Sequence, residues 1–176
     1  MKLTFPLLWA ALILTLSPSN SARAFSPSEV IPAEQVKRNV YVSDSVISGG
    51  DALANPVNLT GVRWAKNPAG YERVVVDLSG EGSGWETKVP PYFQVGHDSH
   101  ASAINLSIRG VTQRNVSAKA LGKAIARSSL ISQAYLAPSV EGDLAALEFK
   151  TRAPVDMESF YLVNPPRIVI DVRAKR

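Results

Sequence analysis

The sequence predicts an all-β fold with one short helix: a β-sandwich of two pseudo-symmetric, mostly antiparallel four-stranded sheets. Three observations predict it. Short alternating apolar segments recur between turns rich in Gly, Pro, Asn and Asp, the pattern of half-buried strands. The segments after a single helical stretch repeat those before it at an offset of about 70 residues. Each four-strand unit is too small to bury its own apolar face, and packing two sheets face to face removes that problem.

Residues 1–24 are expected to be a secretory signal peptide. Met1 and Lys2 give a basic start, Phe5 to Leu16 an apolar run, and Ala22-Arg23-Ala24 a small-residue cleavage site. The run of about 12 apolar residues falls short of the roughly 20 that span a bilayer. The remainder is expected to be a soluble periplasmic protein with no membrane span. The chain has 19 basic and 15 acidic residues, and two of the basic ones, Lys2 and Arg23, leave with the leader. A balance this close does not point to nucleic acid. With 0 cysteines, neither a disulfide nor a thiol-linked lipid is available.

Residues 25–58 read as an N-terminal tether with at most one edge strand. They hold Pro27, Pro32, Pro56 and the Gly49-Gly50 pair, and only Asn39 to Ile47 shows a weak alternation. The folded domain is expected over 59–174. Gly61 to Trp64 and Tyr71 to Leu78 form a hairpin around the Lys66-Asn67-Pro68-Ala69-Gly70 turn. A glycine-rich loop carrying Trp85 follows. Tyr92 to Val95 and Ala103 to Val111 are the next strands, separated by the polar turn Gly96 to Ser102. Ser117 is placed to cap a helix over Ala118 to Leu130, with Leu121, Ala124 and Ile125 on one face. Ile131 to Ala137, Leu144 to Lys150, Met157 to Val163 and Arg167 to Val172 complete the second half. The last two are divided by Asn164-Pro165-Pro166, which denies backbone donors and interrupts pairing.

Gly61-Val62-Arg63-Trp64, then Arg73-Val74-Val75-Val76-Asp77-Leu78, then the helix, then the run from Phe160 through Asn164-Pro165-Pro166-Arg167 to Asp171, follow one another in an order that resembles the AMIN domain. The resemblance covers Leu59 to Arg173. It implies a pair of symmetric four-stranded sheets. It also implies a periplasmic targeting module of bacterial envelope proteins, found with N-acetylmuramoyl-L-alanine amidases and pilus secretins and thought to bind peptidoglycan. Members often carry Asn-Pro-x-Arg in both halves. Here the first-half counterpart, His97 to Ser102, has no arginine, and Leu144-Ala145-Ala146-Leu147 lacks the arginine that Arg73 supplies. The expected function is therefore a non-enzymatic cell-envelope binding module, here the targeting unit alone, without a cofactor. Its expected partner is peptidoglycan, or an envelope protein such as an amidase, a secretin or a division component. The protein-partner alternative is a secretion, pilus or division complex reached by strand addition to a sheet edge.

The candidate ligand-binding residues are Arg63, Trp64, Arg73, Trp85, Tyr92, Tyr161, Asn164 and Arg167. A guanidinium suits bidentate recognition of a peptide-stem carboxylate, and aromatic faces suit sugar rings. The competing expectation for Arg73, Asp77, Arg167 and Asp171 is cross-strand charge pairing. If their strands lie antiparallel, Arg73 faces Asp171 and Asp77 faces Arg167. The aromatics equally suit half-buried sandwich packing. A weaker alternative is a small metal-dependent hydrolase using His97, Asp98 and His100. On an extended strand, residues three apart point to opposite faces, so convergence would need a turn. No Gly-x-Ser-x-Gly elbow is present.

Overall fold

The computed structural model describes Pro27 and residues 29–80, 89–138 and 142–175. The expected signal peptide and Trp85 lie outside the described residues. The first half contains β1 (Val30–Pro32), β2 (Val46–Gly49), β3 (Val57–Asn67), β4 (Tyr71–Gly80), β5 (Phe93–Asp98), β6 (Ala103–Ile108) and β7 (Val111–Arg114). After α1 (Ala118–Ile125) come β8 (Ile131–Leu136), β9 (Ala145–Thr151), β10 (Val155–Leu162) and β11 (Arg167–Ala174). They form a six-stranded sheet, β1-β2-β5-β6-β9-β8, and a five-stranded sheet, β10-β11-β4-β3-β7. The all-β sandwich holds.

The repeat takes a specific form. Each half gives one hairpin to each sheet: β5-β6 and β8-β9 to one, β3-β4 and β10-β11 to the other. The order β5-β6-β9-β8 thus reproduces β10-β11-β4-β3 with the halves exchanged. The two halves interleave, and neither forms a sheet by itself. The most apolar strands, β4 and β11, pair at the centre of their sheet, with Val74 opposite Ile170 and Val76 opposite Ile168. Their inward side chains meet Phe93, Val95, Ile104, Leu106, Leu147 and Phe149 of the other sheet in one buried cluster. Burying a side chain of this kind stabilises by roughly 1.5–3 kcal/mol, so this cluster dominates the fold's support.

Both sheets exceed four strands, for identifiable reasons. The strand expected over Ala103 to Val111 breaks at Gly110, whose φ of 67° suits glycine. The break carries the chain out of the six-stranded sheet, and β7 joins β3 in parallel in the other. The helix also ends earlier than expected. Ser117 caps it, accepting from the Ala120 amide at 3.2 Å, but Ser128 and Ser129 turn away to serve Glu72. Leu121 and Ile125 bury its inner face.

The stretch read as a tether is built into the sandwich. β2 pairs antiparallel with β5, and β1 pairs parallel with β2. Between them, residues 34–42 cross to the other sheet and lie along the edge of β10. Val42 and Met157 exchange both backbone hydrogen bonds at 2.8 Å, and the Tyr161 amide donates to the Glu34 carbonyl at 2.9 Å. Sparse alternation hid this segment because its pairing is intermittent, and because Pro32 and Gly49 mark the ends of two short strands. One open side of the sandwich is closed by it.

Candidate functional site

Directly paired residues in an antiparallel sheet share a face, so register alone lays out the outer surface of the five-stranded sheet. One row reads Glu158, Asp171, Arg73 and Ala65 across β10, β11, β4 and β3. The next reads Phe160, Val169, Val75 and Arg63, and the last Leu162, Arg167, Asp77 and Gly61. Arg73 does face Asp171 and Asp77 does face Arg167, but the two pairs behave differently.

In the first pair the charges are satisfied. The Asp171 carboxylate, 0% exposed, accepts from Arg73 Nε at 2.6 Å and Nη2 at 2.8 Å. Lys37, from the segment along the β10 edge, reaches the same carboxylate at 2.6 Å and Glu158 at 2.6 Å. Glu158 also accepts the amides of Arg38 at 2.6 Å and Asn39 at 2.7 Å. Lys37 lies 4.6 Å from the Tyr41 ring centre and 4.4 Å from that of Tyr71. Burial alone would lower the Lys37 ammonium, but its bonds to Asp171, Glu158 and Tyr41 reverse the effect and hold it above the usual lysine range. The bond to Asp171 likewise raises Arg73. This network fastens the N-terminal segment to the sheet, and it uses up the cation proposed from sequence at position 73.

In the second pair the charges do not meet. Asp77 is taken by Arg63 of the neighbouring strand, with Nε at 2.6 Å and Nη2 at 2.7 Å. Gly61 is level with Asp77 on β3. Arg167 is left with a 3.3 Å bond from its Nε to the Pro165 carbonyl, and it has no acidic partner among the described residues. Beside it stands exposed Asn164, with φ of 52°. Asn164 lies in the turn between β10 and β11 and Arg167 begins β11 just after it, with guanidinium hydrogen-bonding capacity to spare.

The remaining sequence candidates are dispersed. Trp64 packs against the core with its Nε1 donating to Glu72 at 2.9 Å. Tyr161 packs there too, edge-on to Phe93 with ring centres 6.2 Å apart. Tyr92 immediately precedes β5 of the other sheet, and its hydroxyl accepts from Gln94 at 2.8 Å. His97 is buried on the inner face of β5, its Nδ1 accepting from the Asp44 amide at 3.2 Å, whereas His100 is exposed in the following turn. They do not converge, and no group of three or more potential ligands stands together among the described residues.

Sequence reasoning missed Glu72. Its parity on β4 points it inward, where it is 2% exposed and has no ion-pair partner among the described residues. Instead it accepts from Ser129 N at 2.8 Å, Ser129 Oγ at 2.6 Å, the Ser128 hydroxyl and the Trp64 indole. Burial would raise its pKa, and these bonds outweigh burial to leave it below the usual carboxylate range. The Ser128-Ser129 pair just after the helix was the available signal.

No family model matches this chain, and no curated protein matches it in sequence.

Proposed function

We propose that this chain is a non-enzymatic binding module of the bacterial cell envelope that holds peptidoglycan in the periplasm. The reading rests on the AMIN-like order of motifs. It is supported by the two interleaved hairpin pairs, which give each sheet the same four-strand order and agree with the symmetric sheets that the resemblance implies. The observation that carries the ligand assignment is Arg167, whose guanidinium has no acidic partner among the described residues, with Asp77 taken by Arg63. With Asn164 beside it, Arg167 offers a planar donor set to a peptide-stem carboxylate. Strand addition at β10 is the less favoured mode, since residues 34–42 already occupy that edge.

Sedimentation with purified sacculi tests the proposal. The protein cleaved after residue 24 is expected in the pellet, and Arg167→Ala is expected there in severalfold lower amount. Wild-type protein absent from the pellet at both low and moderate salt would overturn it.

A further inference from the structure

The outer face of the six-stranded sheet carries a trough on the side of the sandwich opposite Arg167. Register sets Val46, Gly96, Asn105, Glu148 and Tyr135 in one row across β2, β5, β6, β9 and β8. Four inter-strand spacings of about 4.8 Å make this row about 19 Å long. Small residues form the floor: Gly96 in this row, with Ser107 and Ala146 in the next. The trough encloses about 360 Å³, within the roughly 300–1,000 Å³ of small-molecule sites. Tyr135, 46% exposed, rises at one end.

Its chemistry is neutral. The Glu148 charge is countered by Lys150 Nζ at 3.1 Å, so an anionic ligand would find no free cation in the row. The Asn105 amide and the Ser107 hydroxyl make no side-chain hydrogen bond among the described residues. Gln94 spends its amide nitrogen on Tyr92, which leaves its carbonyl oxygen open. Most of the lining is apolar, from residues such as Val46, Ala137, Ala146 and Tyr135, so a ligand must offer an apolar face as well as hydrogen-bonding groups for the side chains it dehydrates. A polyhydroxylated chain meets both demands: its hydroxyls and acetamido groups pair with amide and hydroxyl side chains, and a ring face packs on Tyr135.

We propose that this trough binds the uncharged backbone of a β-linked amino-sugar polysaccharide, with Tyr135 as the stacking platform and Asn105, Ser107 and Gln94 as hydrogen-bonding partners. The choice of an amino-sugar chain rests on the envelope reading above. The site itself is separate from Arg167, so the protein would contact glycan and peptide on opposite faces.

The test uses the protein cleaved after residue 24 and a peptide-free β-1,4-linked N-acetylglucosamine hexamer, followed by calorimetry and backbone amide shifts. Wild-type protein and Arg167→Ala are expected to bind alike, with shifts confined to β5, β6, β8 and β9. Tyr135→Ala and Asn105→Ala are expected to weaken binding about tenfold or more with unchanged melting, and Tyr135→Trp to retain it. No saturable binding by wild type, or Tyr135→Ala binding as wild type does, overturns the assignment. The two readings fail separately. Hexamer binding without sacculus binding would sink the envelope reading and keep the trough, and sacculus binding without hexamer binding would do the reverse.

Discussion

Arg73 on β4 and Asp171 on β11 are direct cross-strand partners, and the guanidinium holds the fully buried carboxylate through two nitrogens at 2.6 and 2.8 Å. Lys37 supplies a third bond to the same group at 2.6 Å. Removing one member of a buried ionic cluster strands the others, at a cost of roughly 3–5 kcal/mol. Asp171→Ala is therefore expected to lower the unfolding free energy by that amount, read as a lower urea midpoint with an unchanged slope. Arg73→Met should cost less, because Asp171 keeps Lys37. Equal losses in the two variants would show that Lys37 does not share the carboxylate.

Lys37 also determines how firmly residues 34–42 cover the β10 edge. It is the cation that ties this segment to Glu158 and Asp171, and the backbone bonds beside it are few. Lys37→Met is expected to destabilise by roughly 3 kcal/mol. Its more specific effect should be seen in hydrogen exchange. The Met157 and Tyr161 amides, which donate to Val42 and Glu34, should lose protection, while Ile168 and Ile170 in the core change only as global stability does. Uniform loss across the domain would mean that the segment does not open independently.

The strands of 59–174 and the Arg73–Asp171 register were legible because period-two alternation and β-branched runs encode burial directly. Val74, Val76 and Leu78 point inward, and all three are buried. Three features were not legible. The N-terminal pairing depends on Lys37 meeting acids far along the chain, and local alternation does not encode such a contact. The crossing at Gly110 looks like the continuation of a strand until the partner sheet is known. The unequal fates of Arg73 and Arg167 depend on a third arginine, Arg63, whose hold on Asp77 comes from β3–β4 register. Motif spacing placed Arg63 among the candidates without revealing that role.

Glu72 predicts one acid-sensitive step. Its folded pKa is lowered, so its contribution is complete above the ordinary glutamate value of about 4.3 and disappears as pH falls through the lower folded value. Glu72→Gln exchanges a charged acceptor for an amide that places donors among donors. A loss of roughly 1.5–3 kcal/mol at neutral pH is expected, together with a flatter stability curve below about pH 4.3. Urea titrations across that range would measure both. An unchanged acid limb would assign the sensitivity to other carboxylates.

His97 predicts a separate step at higher pH. Burial holds its imidazole below the ordinary histidine value. Below about pH 6.5 the unfolded chain therefore takes up a proton that folded His97 refuses. Stability should fall as pH drops from about 6.5 toward the lowered folded value, and should be insensitive to this group above 6.5. His97→Asn removes the titration and should flatten that window. Imidazole resonances give an independent reading: a His97 midpoint at or above the ordinary histidine value of about 6.5 would contradict the burial argument.

Arg63 and Arg167 lie on the same outer surface, and both are expected to matter more to binding than to stability. Arg63 is paired with Asp77 but its side chain is 61% exposed, and exposed pairs contribute only about 0–1 kcal/mol. Arg167 has no such pair among the described residues, so Arg167→Ala should change stability by less than about 0.5 kcal/mol while reducing recovery with sacculi severalfold. Arg63→Ala frees the Asp77 carboxylate opposite Arg167. An intramolecular Arg167–Asp77 pair can then form and compete with a ligand carboxylate, so Arg63→Ala should also weaken binding, although Arg63 is itself already paired. Replacing both Arg63 and Asp77 with alanine removes the competitor and should restore binding toward the wild-type level. Recovery in the double variant, measured beside the single variants at one salt concentration, distinguishes this competition from a direct contact between Arg63 and the wall. If the double variant binds no better than Arg63→Ala, the contact is direct and the competition argument fails.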